Sequence, residues 1–208
     1  MIKTYNRKYF VLTCIIIFAI LIFIIFVYII MPRGKPGALI KDGTFFEILK
    51  DGDIICRLGD RLWSQIFKDI SENDKRFSHT GIIRINDDQV TVIHAEGTTK
   101  RGKDFVKEEP LNDFIKAARA IGIYRIIGLD DNKISGAAIK YIGVPFDWKF
   151  DMDDASELYC TELLYILLKQ LMPSIILNTI YVKELGKEII PISSISNSEY
   201  FLEIYFNE

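Results

Sequence analysis

Read from its N-terminus, the chain changes character once. Residues 10–31, FVLTCIIIFAILIFIIFVYIIM, carry no charge, glycine or proline, and no helical face of the run is interrupted by a charged residue. A helix of about 22 residues rises roughly 1.5 Å per residue and spans about 30 Å, the hydrocarbon thickness of a bilayer. The run exceeds the apolar core of a cleavable signal. It closes on Tyr28, Ile29, Ile30 and Met31 rather than on small residues. It is therefore expected to be an uncleaved transmembrane signal-anchor helix over residues 10–31, behind a basic tail over residues 1–9. A linker over residues 32–43 follows, opened by a stretch with two prolines and two glycines, MPRGKPG. Residues 44–208 remain for one domain. Lys3, Arg7 and Lys8 before the span favour an N-inside, single-pass membrane protein with its main domain on the non-cytoplasmic side. Arg33, Lys35 and Lys41 after it keep that bias small.

Beyond the linker the periodicity becomes mixed. Residues 52–58, GDIICRL, read as a short apolar strand, with Asp53 capping the turn into it. Asp60 is placed to cap a helix over residues 61–70, where Leu62, Ile66 and Ile70 recur at four-residue spacing beside Trp63 and Phe67. HTGIIRI (79–85) and QVTVIHAE (89–96) read as two strands of a hairpin, joined by Asn86, Asp87 and Asp88. Pro110 opens a helix near residues 111–119, and a strand follows at 122–129. Asp130 caps a helix near 133–141. FDWKFD (146–151) alternates aromatic and charged residues with strand period, and Ser156 and Glu157 open an apolar helix over 159–171 that Pro173 ends. EIIPI and FLEIYF in the tail are strand-like. Strands flanked by helices without regular βαβ alternation point to the α+β class.

Composition adds exclusions. Half the residues are apolar, and removing the first 31 leaves about 177 of ordinary globular usage. The formal net charge of −2 divides into about +3 in the tail and about −5 elsewhere. These values argue against a multi-span transporter, a disordered tail and a nucleic-acid binder. No cofactor is implied. The chain has three cysteines, and Cys14 lies inside the apolar run. Cys56 and Cys160 are too few and too far apart for a disulfide scaffold, although they could pair with each other outside the cytoplasm. No CxxC exists, and no His/Cys spacing suits a structural zinc site, so no metal site is expected.

Chemistry concentrates in few residues. Cys160, in SELYCTELL, falls in the first turn of a helix, where backbone N–H groups and the helix dipole favour a thiolate and can hold an oxyanion. Glu157 and Glu162 oppose that effect, and an inert packed cysteine is the competing reading. The only histidines are His79 and His94. His79 opens a strand after a polar loop; taken alone, it also suits a solvated strand end. Val92, His94 and Glu96 share one strand face that the hairpin can bring beside His79. A polar group there could fix a catalytic imidazole's tautomer, as the third member of a triad does. Cys56, between Ile55 and Leu58, reads as core. Trp148 and Phe150 suit either a cleft lining or the core.

Five segments in order complete the picture: DGDII (51–55), SHTGI (78–82), VIHA (92–95), PFD (145–147) and YCTEL (159–163). Together they resemble the YiiX/YaeF-like permuted papain-fold amidases, within the NlpC-type thiol hydrolases, from about residue 51 to 201. The resemblance implies a circularly permuted papain-like α+β domain, here preceded by one N-terminal transmembrane helix. It implies Cys160 as nucleophile and His79 as base. In that family an acidic residue often precedes the alanine at the position of His94. The third role therefore belongs to His94 by position, with Glu96 two residues on as the alternative. The expected activity is a membrane-anchored cysteine hydrolase, an amidase, peptidase or acyl hydrolase, with acyl transfer left open. Its substrate would be a lipid-linked or cell-wall amide, and its partners a membrane and a peptide or lipid-linked amide, with no nucleic acid. A catalytically inactive papain-fold module that binds a lipid or protein partner is the rival expectation. The oligomeric state is left open.

Overall fold

A computed structural model describes residues 2–30, 40, 44–59, 62–71, 73–97, 104–116, 118–183 and 185–208. The chain divides into two compact units, Met1–Arg33 and Gly34–Glu208. The first is one helix, α1 (Ile2–Ile30). Among the described residues no helix is long and apolar enough to cross a membrane. Most of the expected linker and the capping role of Asp60 lie outside the described residues.

The second unit is built on one antiparallel sheet. After a short helix α2 (Thr44–Ile48) come β1 (Ile54–Gly59), helix α3 (Leu62–Ile70), β2 (His79–Asn86), β3 (Gln89–Glu96) and β4 (Phe105–Pro110). Helix α4 (Leu111–Lys116), β5 (Ala118–Ile126) and helix α5 (Lys133–Ala138) follow, the last running into a 3₁₀ turn, Ile139–Tyr141. Helix α6 (Cys160–Leu171), the β6 (Ile180–Val182) and β7 (Lys187–Ile189) hairpin, helix α7 (Ser193–Ser196) and β8 (Phe201–Asn207) complete the chain. The main sheet has six strands in the order β4-β3-β2-β1-β5-β8.

The central strand β1 is buried along its whole length, which explains its apolar character apart from Arg57. Its alternate residues serve two cores. Ile54, Cys56 and Leu58 face a core shared with α6, while Ile55 faces one shared with Phe114 and Ile115 of α4. Asp53 accepts from the backbone N–H of Lys50 at 2.8 Å and binds the Arg125 guanidinium through both oxygens.

The hairpin of β2 and β3 turns through Asp87 and Asp88, with Asp87 in the left-handed region at φ 52°. Three sequence expectations shift. The helix at 111–119 stops at Lys116, and β5 begins at Ala118 rather than 122, because the register opposite β1 starts there. The 146–151 segment is not a strand. Asp147 is buried and accepts from the backbone N–H groups of Lys149 and Asp151, and Phe150 takes φ 52°, so the segment turns. Strand β4 has no counterpart in the periodicity, and it carries part of the site.

Candidate active site

Cys160 is the first residue of α6. Tyr159 caps the helix, and its backbone N–H donates to the Glu162 carboxylate at 3.2 Å. The register explains how the thiol meets β2. Strand β2 pairs with β1 at Cys56↔Thr80 and Arg57↔His79, whereas its ladder with β3 begins at Ile82↔Ile93. The hydrogen bond from Ile83 N–H to Asp53 O shows that odd-numbered β2 residues turn their backbone groups toward β1. The N–H of Thr80 therefore points the other way, to where β3 has not yet joined. Backbone hydrogen bonding from Thr80, and from Thr161 and Cys160 themselves, acts on the Cys160 sulfur and favours its thiolate. Arg57 favours the thiolate as well.

Burial outweighs these donors. It pushes the Cys160 thiol up to about 11. The expectation that the helix N-terminus would lower this pKa is corrected: the dipole and the donors are present, and desolvation is larger. The Cys160 thiol is therefore neutral at pH 7. Cys14, Cys56 and Cys160 are all free. The Cys56 thiol, fully buried beside Thr80 Oγ1 at 3.5 Å, is pushed up to about 12 by burial.

The histidines lie side by side. His79 Nε2 is 2.8 Å from His94 Nδ1, and His94 Nε2 is 3.0 Å from Glu109 Oε1. The Phe114 ring braces both, stacked on His79 at 5.7 Å and edge-on to His94 at 5.0 Å. Gly81 makes the pairing possible, because a Cβ there would meet Val92 Cγ1 at 2.5 Å and His94 Cβ at 3.1 Å. Burial, with help from the Arg57 charge, holds both histidines below the usual imidazole range, so both are neutral at pH 7.

Glu96 takes a different place. It binds Arg57 Nη2 at 2.9 Å and Lys107 Nζ at 2.6 Å. Lys107 also reaches Glu109 Oε2 at 2.8 Å, and the Arg57 guanidinium lies 4.2 Å from the Phe114 ring centroid and donates to the Phe114 carbonyl. Glu109 and Lys107, both on β4, were missed by sequence reasoning. In FVKEEP, Lys107 and Glu109 stand two apart on one strand face, as His94 and Glu96 do on β3, and His94↔Lys107 is a register pair. Phe150 is buried against Phe67 and Tyr159, while Trp148 is 44% exposed and packs on Phe146.

A cysteine at a helix start and an imidazole pair on strands β2 and β3 thus stand on one six-stranded antiparallel sheet. A family model described as permuted papain-like amidase enzyme, YaeF/YiiX, C92 family, matches residues 48–190. The chain belongs to this family. The family is one of amidases and peptidases, in keeping with a cysteine hydrolase in general. Among solved structures, the crystal structure of metalloprotein yiiX from Escherichia coli O157:H7 is similar in fold. Its TM-score is 0.62 at 17% identity, over 76% of this chain and 97% of that one. No curated protein matches.

That neighbour is described as a metalloprotein. In this amidase-family chain, His94, Glu96 and Glu109 each bring one ligand atom to within 4.8 Å of the others. The set as it stands does not fit a metal ion. The Lys107 ammonium bridges the two carboxylates, and both His94 nitrogens are engaged, by His79 and by Glu109.

Proposed function

We propose that this chain is a cysteine amidase or acyl hydrolase in which Cys160 is the nucleophile, His79 the base and His94 the third member. The observation that carries the reading is the coupling of two placements: the Cys160 sulfur at the backbone of Thr80, and the neighbouring His79 bound to His94. His79 commits Nε2 to His94, which leaves Nδ1 as its proton acceptor. On substrate binding, Nδ1 takes the Cys160 proton and the sulfur attacks the amide or ester carbonyl. The backbone N–H of Cys160 stabilises the oxyanion. Collapse of the tetrahedral intermediate expels the amine or alcohol with the proton from His79. Water, deprotonated by His79, then releases the acid and regenerates the thiol. A neutral resting thiol and a neutral imidazole suit a pair that ionises only as the carbonyl arrives.

The uncharged apolar run at residues 10–31 supports a membrane anchor, and the basic tail before it favours a main domain on the non-cytoplasmic side. A membrane anchor in the same chain favours a lipid-linked amide over a cell-wall peptide as substrate. Replacement of the family's acidic third residue by His94 favours the rival reading, an inactive binding module. Labelling of intact membranes by an acyl-type thiol probe separates the two. Wild type is expected to be labelled, and Cys160→Ser and His79→Ala to lose at least roughly 10³-fold in rate. Labelling unaffected by Cys160→Ser would leave the binding module standing.

A further inference from the structure

We propose that Glu109, clamped by Lys107, is a positioning residue that dictates which nitrogen of His79 carries its proton. The inference rests on the cysteine–histidine reading above and deepens it. An ionised carboxylate only accepts hydrogen bonds, so the 3.0 Å contact with Glu109 Oε1 requires a proton on His94 Nε2. A neutral His94 then has a bare Nδ1, which is an acceptor. The 2.8 Å contact between His94 Nδ1 and His79 Nε2 therefore requires the proton on His79 Nε2. A neutral His79 so protonated has a bare Nδ1. Each assignment follows from the one before, and the chain ends on the base that Cys160 needs.

Two features keep the first link in place. Lys107 donates to Glu109 at 2.8 Å and to Glu96 at 2.6 Å, and Glu96 is tied in turn to Arg57 at 2.9 Å. Glu109 is accordingly held well below the ordinary carboxylate range; burial and the Arg57 charge disfavour a charged imidazole at both histidines, and Lys107 adds to this at His79. A doubly protonated His94 would donate from Nδ1, turn His79 Nε2 into an acceptor and place the His79 proton on Nδ1, where it blocks the base. The buried charge network thus has a directional consequence beyond the stability of the sheet.

The chain has only two histidines, so ring-nitrogen NMR of the full-length chain labelled with ¹⁵N-histidine gives four signals to assign. At neutral pH both Nε2 atoms are expected to be protonated and both Nδ1 atoms bare. Glu109→Ala is expected to abolish the fixed tautomer of both rings and to slow acyl-probe labelling of Cys160 about 10²-fold, the scale of lost general-base catalysis. Glu109→Gln keeps the shape of the site and serves if the alanine variant does not fold. Its amide can donate to Nε2 as well as accept, so the ring pattern is expected to shift with it. A wild-type His79 protonated on Nδ1, or unchanged rings and labelling in a folded Glu109 variant, would overturn the inference. Labelling of His79→Ala at the wild-type rate would instead remove the cysteine–histidine reading, while the tautomers would still report on Glu109.

Discussion

Two carboxylates stand near the candidate site, one buried and one half-buried, and their surroundings drive them in opposite directions. Glu162 lies two residues beyond Cys160, is 1% exposed, and has one oxygen without a hydrogen-bond partner. Burial, with Asp147, Asp151 and Asp154 nearby, pushes it up to about 8. Glu109 stands behind His94 with a partner on each oxygen, and His94 and Lys107 bring it down to about 2 despite burial. The Cys160 end of the site thus holds an acid and a thiol that are both neutral near pH 7. The histidine end is a network of fixed charges. In the proposed mechanism the Cys160 end acquires charge in the transition state, and the histidine end orients without titrating.

The contrast is sharpest in stability against pH. Glu162 has a folded pKa above its unfolded value of 4.5, so its protonated form stabilises the fold at low pH. That contribution is lost as pH rises from 4.5 to 8. Glu162→Gln is expected to remove a slope on the order of 4 kcal/mol across this window and to stabilise the protein at pH 8, measured by urea unfolding at several pH values. A slope unchanged in the variant would mean that Glu162 is ionised in the fold. Glu109 has the opposite sign. Its contribution is present above pH 4.5 and lost as pH falls toward 2. Glu109→Gln is expected to flatten the acid limb by about 2 kcal/mol, the smaller figure reflecting its partial exposure.

Much of this arrangement was legible in the chain, for identifiable reasons. Strong alternation marked the hairpin from His79 to Glu96, and the YCTEL segment marked the start of α6, so both histidines and Cys160 stood out. Strand β4 did not, because an edge strand paired only to β3 needs no apolar run, and FVKEEP reads as a charged loop. Glu109 and Lys107 were hidden with it. Alternation misled at FDWKFD, where the side chain of Asp147 satisfies the backbone in place of a neighbouring strand. The thiol pKa was misjudged because the helix dipole is a local feature that can be seen in sequence, whereas desolvation depends on everything packed around the sulfur.

A smaller effect probes the hinge between the two ends. Gly81→Ala would push a methyl group into Val92 and His94, so a loss of about 1–3 kcal/mol is expected, with slower acyl-probe labelling. Normal labelling in this variant would mean that the His79–His94 contact can be displaced without consequence. The smallest expected effect is none. Because Lys107 bridges Glu96 and Glu109, incubation with a chelator is expected to leave labelling of Cys160 unchanged, and a loss that added zinc restores would place a metal among these carboxylates.

The central claim is that His79 activates a thiol that burial keeps neutral. The most direct test is the rate of acyl-probe transfer to Cys160 from pH 5 to 10, in wild type and in His79→Ala. With His79 held well below 6.5 and Cys160 at about 11, the wild-type rate should stay flat from pH 6.5 to 8 and fall only on the acid side. The variant should react slowly at neutral pH and gain rate only toward the thiol's own ionisation. Superimposable profiles for the two proteins would contradict the account.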